Sequence, residues 1–138
     1  MRRMKEIFRD RKPIAMPPTA KVIDACREMR DRRIGAVIVA DADRRLLGIF
    51  TGRDAVNRVL AEGRDPHATA LTDVMTPNPL SMSPGRTAIE ALRLMEDGGF
   101  RHVPVVVDGK IVGIVSRADF QGIEQARLDE EIEFWERI

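Results

Sequence analysis

The chain repeats itself, and this internal duplication constrains its fold more than any other feature. The segment GIFTGRD at 48–54 returns as GIVSRAD at 113–119. Upstream, ACREM at 25–29 recurs as ALRLM at 91–95, and the distance between these two segments is nearly the same. A duplication this regular predicts two similar units packed together. Because a hydroxyl residue and an aspartate recur at one place in each copy, the sequence also predicts a paired site.

Length and charge set the broad class. A chain of 138 residues is long enough for one hydrophobic core, so we expect one domain made of two halves. The formal net charge of +1 gives no bulk basic field that would favour nucleic acid or a membrane surface. The charge is polarised, because residues 1–12 carry six basic and two acidic side chains and residues 124–138 carry the reverse. We expect these ends to pair within or between chains.

The cysteine content and hydropathy indicate the compartment. The single cysteine, Cys26, excludes an intrachain disulfide. The sequence also contains neither an apolar signal segment nor a run long enough to span a membrane. Both features favour a reduced, cytoplasmic setting without a membrane partner.

The first copy has the hydrophobic pattern of a β-α-β-β-α unit. Apolar residues at i, i+3, i+4 and i+7 predict a helix with one buried face, and they are Val22, Ala25, Cys26 and Met29. Two apolar runs, 36–40 and 46–50, predict strands separated by a polar turn. A short strand at 14–16 precedes the helix, and a second helix begins at Thr51 and ends near Gly63.

The second copy repeats this order with clearer local signals. Thr87 and Glu90 have the spacing of a capping box at the start of its first helix. Lys21 takes the place of Thr87 in the first copy, so we expect a weaker cap there. Asp108 and Gly109 stand between the two apolar runs and predict a two-residue hairpin turn.

Four segments follow from these patterns, and they are repeat 1 at 12–63, a linker at 64–79, repeat 2 at 80–123 and a C-terminal helix at 124–138. The linker contains three prolines, which favour an extended connection over a continuous helix. In the last segment Leu128, Ile132 and Trp135 fall at i, i+4 and i+7 beside an acidic face. This amphipathic helix needs cover from the rest of the chain or from a second copy.

The repeated polar pair, Thr51 with Asp54 and Ser116 with Asp119, permits two interpretations. The S/T-x-x-D spacing is typical of a helix cap, in which the hydroxyl accepts from a backbone amide and the carboxylate reaches back. The same geometry suits a nucleotide, because a helix N-terminus attracts phosphate and the aspartate can accept hydrogen bonds from two ribose hydroxyls. Spacing alone leaves both interpretations open.

Basic side chains near these motifs could complete a phosphate site. Arg53 and Arg117 lie inside the two helix starts, and Arg101 and His102 stand at the entrance to a buried strand. Arginine is suited to bidentate phosphate contact. Each of these residues also has a plain structural interpretation, as a solvated first-turn arginine or as a structural or surface histidine.

The motifs together resemble a tandem pair of CBS domains, the cystathionine β-synthase type, in its short stand-alone bacterial form. Four stretches carry the resemblance, and they are IGAVIV at 34–39, GIFTGRD at 48–54, DVMT at 73–76, and FRHVPVV at 100–106 with its continuation to 113–119. The match extends from about residue 12 to residue 123. The duplicated order of these motifs is what makes the resemblance specific.

The resemblance implies a mixed α/β (α+β) fold in which two β-α-β-β-α repeats pack about a pseudo-twofold axis and leave two clefts. An adenine nucleotide, namely AMP, ADP, ATP or NAD(H), would occupy such a cleft as a regulatory ligand and not as a catalytic cofactor. The family pattern assigns the ribose to Asp54 and Asp119, the phosphates to Thr51 and Ser116 with Arg53 and Arg117 nearby, and the adenine to Gly35, Ala36, Val103 and Pro104. It also implies that Arg101 and His102 serve the nucleotide held by Asp54.

The two copies are unequal, so we expect the two clefts to differ in affinity. Arg101 and His102 correspond to Gly35 and Ala36, and only the second copy therefore supplies this basic pair. The first motif also has Gly52 at a position where many members of the family carry a charged residue.

We therefore expect a non-catalytic sensor that binds an adenine nucleotide, forms a homodimer and acts on an effector protein in trans. Catalysis is not expected, because the sequence has no G-x-x-x-x-G-K-[ST], G-x-G-x-x-G or G-x-S-x-G motif and Cys26 lies on an apolar helix stripe. A metal site is not expected, because His67 and His102 lack ligand spacing with each other or with Cys26. The alternatives are a structural dimerisation module without a ligand and, through the basic N-terminus, a nucleic-acid-binding protein.

Overall fold

The structure is a computed structural model that describes Arg3 and residues 13–120. Backbone contacts divide the chain into two units, each built around one copy of the repeat. Of the described residues, the repeat-1 unit contains 13–80 and 108–112, and the repeat-2 unit contains Arg3, 81–107 and 113–120.

Two sequence predictions fall on residues that the structure does not describe. The amphipathic helix at 124–138, with Leu128, Ile132 and Trp135, lies outside the described residues. The basic N-terminus also lies outside them apart from Arg3. Of the helices in the described part, none is long and apolar enough to cross a membrane.

The chain contains both helices and strands, which confirms the predicted mixed α/β class. In chain order the elements are β1 (Ala15–Met16), α1 (Val22–Arg32), β2 (Ala36–Ala40), β3 (Leu46–Thr51), α2 (Gly52–Asp54), a π-helix (Ala55–Leu60), α3 (Leu71–Val74), β4 (Thr76–Pro77), α4 (Ala88–Gly98), β5 (His102–Val107), β6 (Lys110–Ser116) and a 3₁₀ turn (Arg117–Asp119). One sheet has the strand order β1-β2-β3-β4, and a second sheet pairs β5 with β6.

The start of α1 is capped by the linker and not by a side chain. Lys21 makes no capping hydrogen bond within the described part of the chain, as its position predicted. The amide of Val22 instead donates to the carbonyl of Thr69 at 3.0 Å, and the amide of Ile23 donates to the carbonyl of Pro66 at 3.0 Å. Two of the amides that a helix start leaves without an intrahelical partner are thereby satisfied. The weak cap of the first copy is replaced by a contact that is remote in sequence.

The register of β2 against β3 determines what stands at each end of the hairpin. The two strands are antiparallel, with Ala36 opposite Thr51 and Val39 opposite Gly48. β1 adds to β2 in parallel, and β4 adds to β3 in antiparallel. All five residues of β2 are buried, which explains why its sequence is apolar without alternation.

The repeat-1 core packs α1 and the linker against the sheet. Its buried members are Val22, Ala25, Met29, Val37, Val39, Phe50, Val59, Leu71 and Val74. The helical periodicity of α1 is confirmed, because Val22, Ala25 and Met29 are buried while Cys26 is half-buried against the same cluster. Each strand residue of this cluster comes from β2 or β3, whose β-branched and aromatic side chains favour a pleated surface.

The linker is partly ordered into regular structure. It is not a continuous helix, in agreement with its prolines, but α3 and β4 interrupt the extended path. Leu71 and Val74 of α3 are buried in the repeat-1 core. Burial of these two apolar side chains explains why the segment between the prolines forms a helical turn.

The predicted hairpin turn at Asp108 and Gly109 is confirmed. Both residues have positive φ, 52° and 78° respectively, as a type I′ turn requires. The turn region belongs to the repeat-1 unit, where Leu46 donates to the carbonyl of Gly109 at 3.1 Å and Ile111 donates to that of Arg44 at 2.9 Å. These bonds pair the start of β3, and the two residues before it, with the turn and the start of β6.

The described part of the repeat-2 unit has the same order of elements, but its first and last elements are shorter. The predicted capping box of α4 is confirmed, because Glu90 donates its amide to Thr87 Oγ1 at 3.2 Å. The first strand of this copy is reduced to a bridge between Met82 and Val105. In place of a last helix the described part of this copy ends in the 3₁₀ turn, after which Phe120 is extended. The core of this unit contains Met82, Ala88, Ala91, Met95, Val103, Val105 and Val115.

Gly48 and Gly52 form a matched pair for testing this packing. A Cβ at Gly48 would stand 2.5 Å from Met75 Sδ and 2.9 Å from the backbone oxygen of Thr76, whereas a Cβ at Gly52 meets no described atom within 4 Å. We expect Gly48→Ala to lower the free energy of unfolding by about 1–3 kcal/mol, the usual range for overpacking. Gly52→Ala should be neutral or stabilise by about 0.4–1 kcal/mol.

Urea denaturation of both variants measures these changes. Equal stability of the Gly48→Ala variant and the parent protein would show that β4 does not approach β3 as closely as described.

Candidate functional site

The first S/T-x-x-D motif forms a complete capping box. Thr51 donates its amide and its hydroxyl to Asp54 Oδ2, at 3.0 and 3.1 Å. Asp54 returns its own amide to Thr51 Oγ1 at 3.2 Å. The helix-capping interpretation is therefore confirmed for this copy. It occupies one carboxylate oxygen of Asp54 and leaves the other for different partners.

The second oxygen of Asp54 faces an arginine that sequence reasoning missed. Asp54 is only 8% exposed, and its Oδ1 lies 3.6 Å from Arg58 Nε. The same guanidinium donates from Nη1 to the carbonyl of Met75 at 2.9 Å and to that of Val74 at 3.4 Å. A buried carboxylate requires compensation of this kind. The i, i+4 spacing of an acid and a base on a predicted helix was the available signal.

The residues predicted to contact adenine in the first copy lie beside this motif. The amide of Gly52 donates to the carbonyl of Gly35 at 3.1 Å, and Ala36 is paired with Thr51 across the hairpin. Ala36 is buried and Arg53 is exposed to solvent. The hairpin thus brings Gly35, Ala36, Thr51, Arg53 and Asp54 to one end of the repeat-1 sheet.

The second motif has a related arrangement. Ser116 donates its amide to Asp119 Oδ2 at 2.7 Å, and its hydroxyl lies 3.3 Å from the same oxygen. The amide of Arg117 donates to the carbonyl of Arg101 at 2.9 Å, which is the counterpart of the bond between Gly52 and Gly35. Asp119 is half-buried, in contrast to Asp54. The two copies therefore share the backbone geometry of the motif, but they differ in how deeply the aspartate is buried.

The basic residues of the second copy have different surroundings. The Arg117 side chain forms an ion pair with Glu96, so it is more than a solvated first-turn residue. Arg101 is exposed. Val103 and Pro104 are both buried, and Val103 belongs to the repeat-2 core. Any contact of Val103 with a ligand would therefore use its backbone.

His102 is held towards its neutral form. It is half-buried at the start of β5, and burial lowers the pKa of its imidazole below the usual 6.5. The Asp119 carboxylate opposes this shift in pKa, and the Arg101 guanidinium reinforces it. At neutral pH, His102 therefore presents one N–H donor and one acceptor nitrogen beside the second motif.

One predicted relation joins residues of different units. Arg101 and His102 belong to the repeat-2 unit and Asp54 belongs to the repeat-1 unit. That these three residues bind the same nucleotide stays a prediction.

The described residues offer no sign of metal or cysteine chemistry. Within residues 13–120 and Arg3, no three of the His, Cys, Asp and Glu side chains are grouped so that they could hold a metal ion. Burial raises the pKa of the Cys26 thiol, so its thiolate fraction at neutral pH is small. A thiol in this state is a weak nucleophile.

Comparison with known proteins identifies the family. The family model of the CBS domain matches residues 4–61 and 71–122, and the chain belongs to the CBS domain family. The predicted tandem arrangement is thereby confirmed. Tandem CBS domains are regulatory modules that commonly bind adenosine ligands.

Sequence relatives include plant and bacterial proteins. A CBS domain-containing protein of Arabidopsis thaliana is 40% identical over 104 residues, which cover 75% of this chain and 19% of the relative. An uncharacterized protein of Bacillus subtilis is 37% identical over 105 residues, which cover 75% of this chain and 70% of the relative. The chain thus spans about a fifth of the length of the Arabidopsis relative.

Solved structures share the fold over most of the chain. A CBS-domain containing protein from Agrobacterium tumefaciens is 32% identical, with a TM-score of 0.78 and coverage of 91% of this chain and 98% of that one. A CBS domain protein from Pyrobaculum aerophilum, solved in complex with AMP, is 24% identical, with a TM-score of 0.83 and coverage of 93% and 98%. At this identity the second likeness shows the fold alone.

The surroundings of His102 predict a pH dependence of stability. Because the folded pKa lies below 6.5, the unfolded chain takes up this proton first as the pH falls. The free energy of unfolding should therefore decrease as the pH falls below about 6.5, until the folded pKa is passed. Arg101→Ala should raise the pKa of His102, and Asp119→Asn should lower it further.

Imidazole NMR titration in a His67→Gln background, where His102 is the only histidine, measures these shifts. A His102 midpoint at or above 6.5, a lower pKa in Arg101→Ala, or a higher pKa in Asp119→Asn would contradict these surroundings of the imidazole.

Proposed function

We propose that this chain is a non-catalytic regulatory module that binds an adenine nucleotide at its S/T-x-x-D motifs. The observation that carries the proposal is the buried carboxylate of Asp54. Thr51 fixes one of its oxygens, and among the described residues the other oxygen faces only Arg58. Membership of the CBS family supports an adenosine ligand. AMP is the first nucleotide to test, and ADP, ATP and NAD(H) follow.

The carboxylate of Asp54 suits the hydroxyls of a ribose. Its Oδ2 already accepts from two groups of Thr51. Its Oδ1 lies 3.6 Å from Arg58, beyond hydrogen-bond distance, and keeps acceptor capacity. Ribose hydroxyls are neutral donors, so they satisfy this oxygen without adding charge to a buried position. Asp119 would hold the ribose of a second nucleotide in the same way.

The remaining contacts follow from the neighbouring residues. Adenine would lie against Gly35 and Ala36 in the first site and against Val103 and Pro104 in the second. Phosphate would approach Thr51 with Arg53 in the first site, and Ser116 with Arg117 in the second. The ion pair with Glu96 competes with a phosphate for Arg117 in the second site. The AMP complex of the Pyrobaculum neighbour supports AMP as the probe.

The module would act through partners. We propose a homodimer in the cytoplasm that reports its ligand state to an effector protein in trans. Val56 and Leu60 support the dimer, because they stand four residues apart on the π-helix and are 55% and 67% exposed. Apolar side chains that are exposed side by side on a helix favour association. Conversion of a substrate is not part of the proposal.

A structural module without a ligand is the second candidate function. The complete capping box at Thr51 and Asp54 favours it, because that contact already accounts for the motif. Nucleic-acid binding through the basic N-terminus has no corresponding support among the described residues.

Isothermal titration with AMP separates ligand binding from capping. We expect Asp54→Asn and Asp119→Asn each to weaken binding at one site by about tenfold or more, because a hydrogen bond to a charged group contributes about 1.5–3 kcal/mol. Thr87→Ala is the matched control, since it removes a capping contact at α4, which carries no candidate ligand residue. It should lower stability by about 0.5–2 kcal/mol and leave AMP binding unchanged.

If both aspartate variants bind AMP as well as the parent protein and lose only stability, the structural module is the correct function.

The dimer has its own test on the π-helix. We expect the parent protein to sediment as a dimer and Leu60→Glu to sediment as a monomer, because a charge at that position cannot be buried without cost. Asn57→Glu places the same charge on an exposed polar position of the same helix and should leave the dimer intact. Dimerisation of the Leu60→Glu variant at the parental concentration would exclude this face.

A further inference from the structure

We infer that Arg58 is a positioning residue that couples the carboxylate of Asp54 to the linker between the two repeats. The inference rests on the proposed function for the identity of the ligand, since it concerns how occupancy of Asp54 is reported. The same link between Asp54 and the linker is expected in the ligand-free protein. Arg58 would transmit the state of the first motif to the segment where the chain leaves the repeat-1 unit.

One guanidinium makes both contacts. Arg58 directs Nε towards Asp54 Oδ1 at 3.6 Å and donates from Nη1 to the carbonyls of Met75 and Val74 at 2.9 and 3.4 Å. A guanidinium is rigid and planar, with donors on several sides. When Asp54 fixes one side of this group, the position of the other side is fixed as well.

The linker contact satisfies the end of α3. This helix has four residues, Leu71–Val74, and Met75 after it is extended. The last carbonyls of a helix have no intrahelical partner, and a basic side chain can bond them. Arg58 supplies that donor from outside the helix. The end of α3 therefore depends on a side chain that is also engaged with the candidate ligand site.

The segment after α3 is placed so that a change there reaches the rest of the linker. Thr76 and Pro77 of β4 pair with Ile49 and Gly48 of β3. Shortly after β4, at Leu80, the chain leaves the repeat-1 unit. Loosening of the carbonyls at Val74 and Met75 would thus alter the short stretch that holds the linker to the sheet.

A ligand at Asp54 would act on this connection through one atom. Oδ1 has the remaining acceptor capacity, and it is also the oxygen that faces Arg58. A ribose hydroxyl that donates a hydrogen bond to this oxygen would restrict the orientation of the carboxylate and, through it, that of the guanidinium. Coupling of two sites is reciprocal, so the bond from Arg58 to the linker should in turn strengthen ligand binding.

The coupling belongs to the first copy. When the two S/T-x-x-D motifs are aligned, the position of Arg58 corresponds to Ile123 in the second copy, and an isoleucine side chain can neither pair with Asp119 nor bond a carbonyl. The two motifs therefore share the capping geometry, whereas only the first has a sequence that permits this link. A nucleotide at the first motif would be reported to the linker, and one at the second motif would not be reported by this route.

Hydrogen exchange of residues 71–78 tests the link in the ligand-free protein. We expect Arg58→Gln and Asp54→Asn each to speed exchange of this segment by about 2- to 10-fold, the effect of losing one hydrogen bond. The double variant should exchange no faster than the faster single variant, because both changes break the same connection. Asn57→Ala, at an exposed neighbour of Arg58, is the control and should leave the exchange unchanged. Circular dichroism of each variant checks that it folds.

The ligand arm repeats the measurement at saturating AMP. We expect AMP to slow exchange of residues 71–78 in the parent protein and in Asn57→Ala, and to leave exchange of this segment unchanged in Arg58→Gln. The AMP affinity of Arg58→Gln should fall by up to the factor by which AMP slows exchange of this segment in the parent protein, because the coupling is reciprocal. Equal protection of the linker by AMP in Arg58→Gln and in the parent would overturn the inference.

The two proposals fail in distinguishable ways. If AMP and the other adenine nucleotides do not bind the parent protein, the proposed function is wrong, and the ligand-free exchange alone decides the role of Arg58. If Arg58→Gln exchanges like the parent, or if the effects of the two single changes add in the double variant, Arg58 does not connect Asp54 to the linker.

Discussion

Hydrogen bonds between β2 and β3 hold Ala36 opposite Thr51, and the candidate site of the repeat-1 unit depends on this register. A shift by one residue would exchange the two faces of β3 and move Thr51 away from Gly35. The register is maintained by burial, because β2 is covered along its whole length and Phe50 is fully buried. The apolar strands therefore position the polar motif, which begins at Thr51 at the end of β3.

The linker has a structural role equal to that of the elements it connects. Its carbonyls at Pro66 and Thr69 accept the first amides of α1, and its own helix α3 is completed by Arg58. Each contact satisfies backbone groups that a short helix leaves open. Because these bonds join the linker to α1 and to the π-helix, displacement of the linker would cost hydrogen bonds at both. This arrangement makes the segment suitable for reporting a change at the first motif.

Structural features whose determining contacts are local could be predicted from the sequence. The hydrophobic period of α1, the capping box at Thr87 and the turn at Asp108 and Gly109 each depend on residues a few positions apart, and the structure agrees with all three. The cap of α1 by the linker was missed, since it joins backbone groups that are far apart in sequence. The π-helix was missed because a hydrophobic pattern does not distinguish it from an α-helix, although such turns are frequent at functional sites. Positions of the candidate site residues within each unit followed from the repeat; their roles with a ligand are proposals.

The capping box and the proposed ligand site are compatible uses of one carboxylate. In the ligand-free protein, Thr51 already holds Asp54 by two hydrogen bonds, so a ligand does not have to order this side chain. A pre-organised acceptor lowers the entropy cost of binding. The second copy has the same motif around a less buried aspartate, with His102 near it and Glu96 on Arg117. One local geometry therefore has different electrostatic surroundings in the two copies. Under the proposed function, a difference in ligand affinity would follow from the side chains around the motif and not from the motif itself.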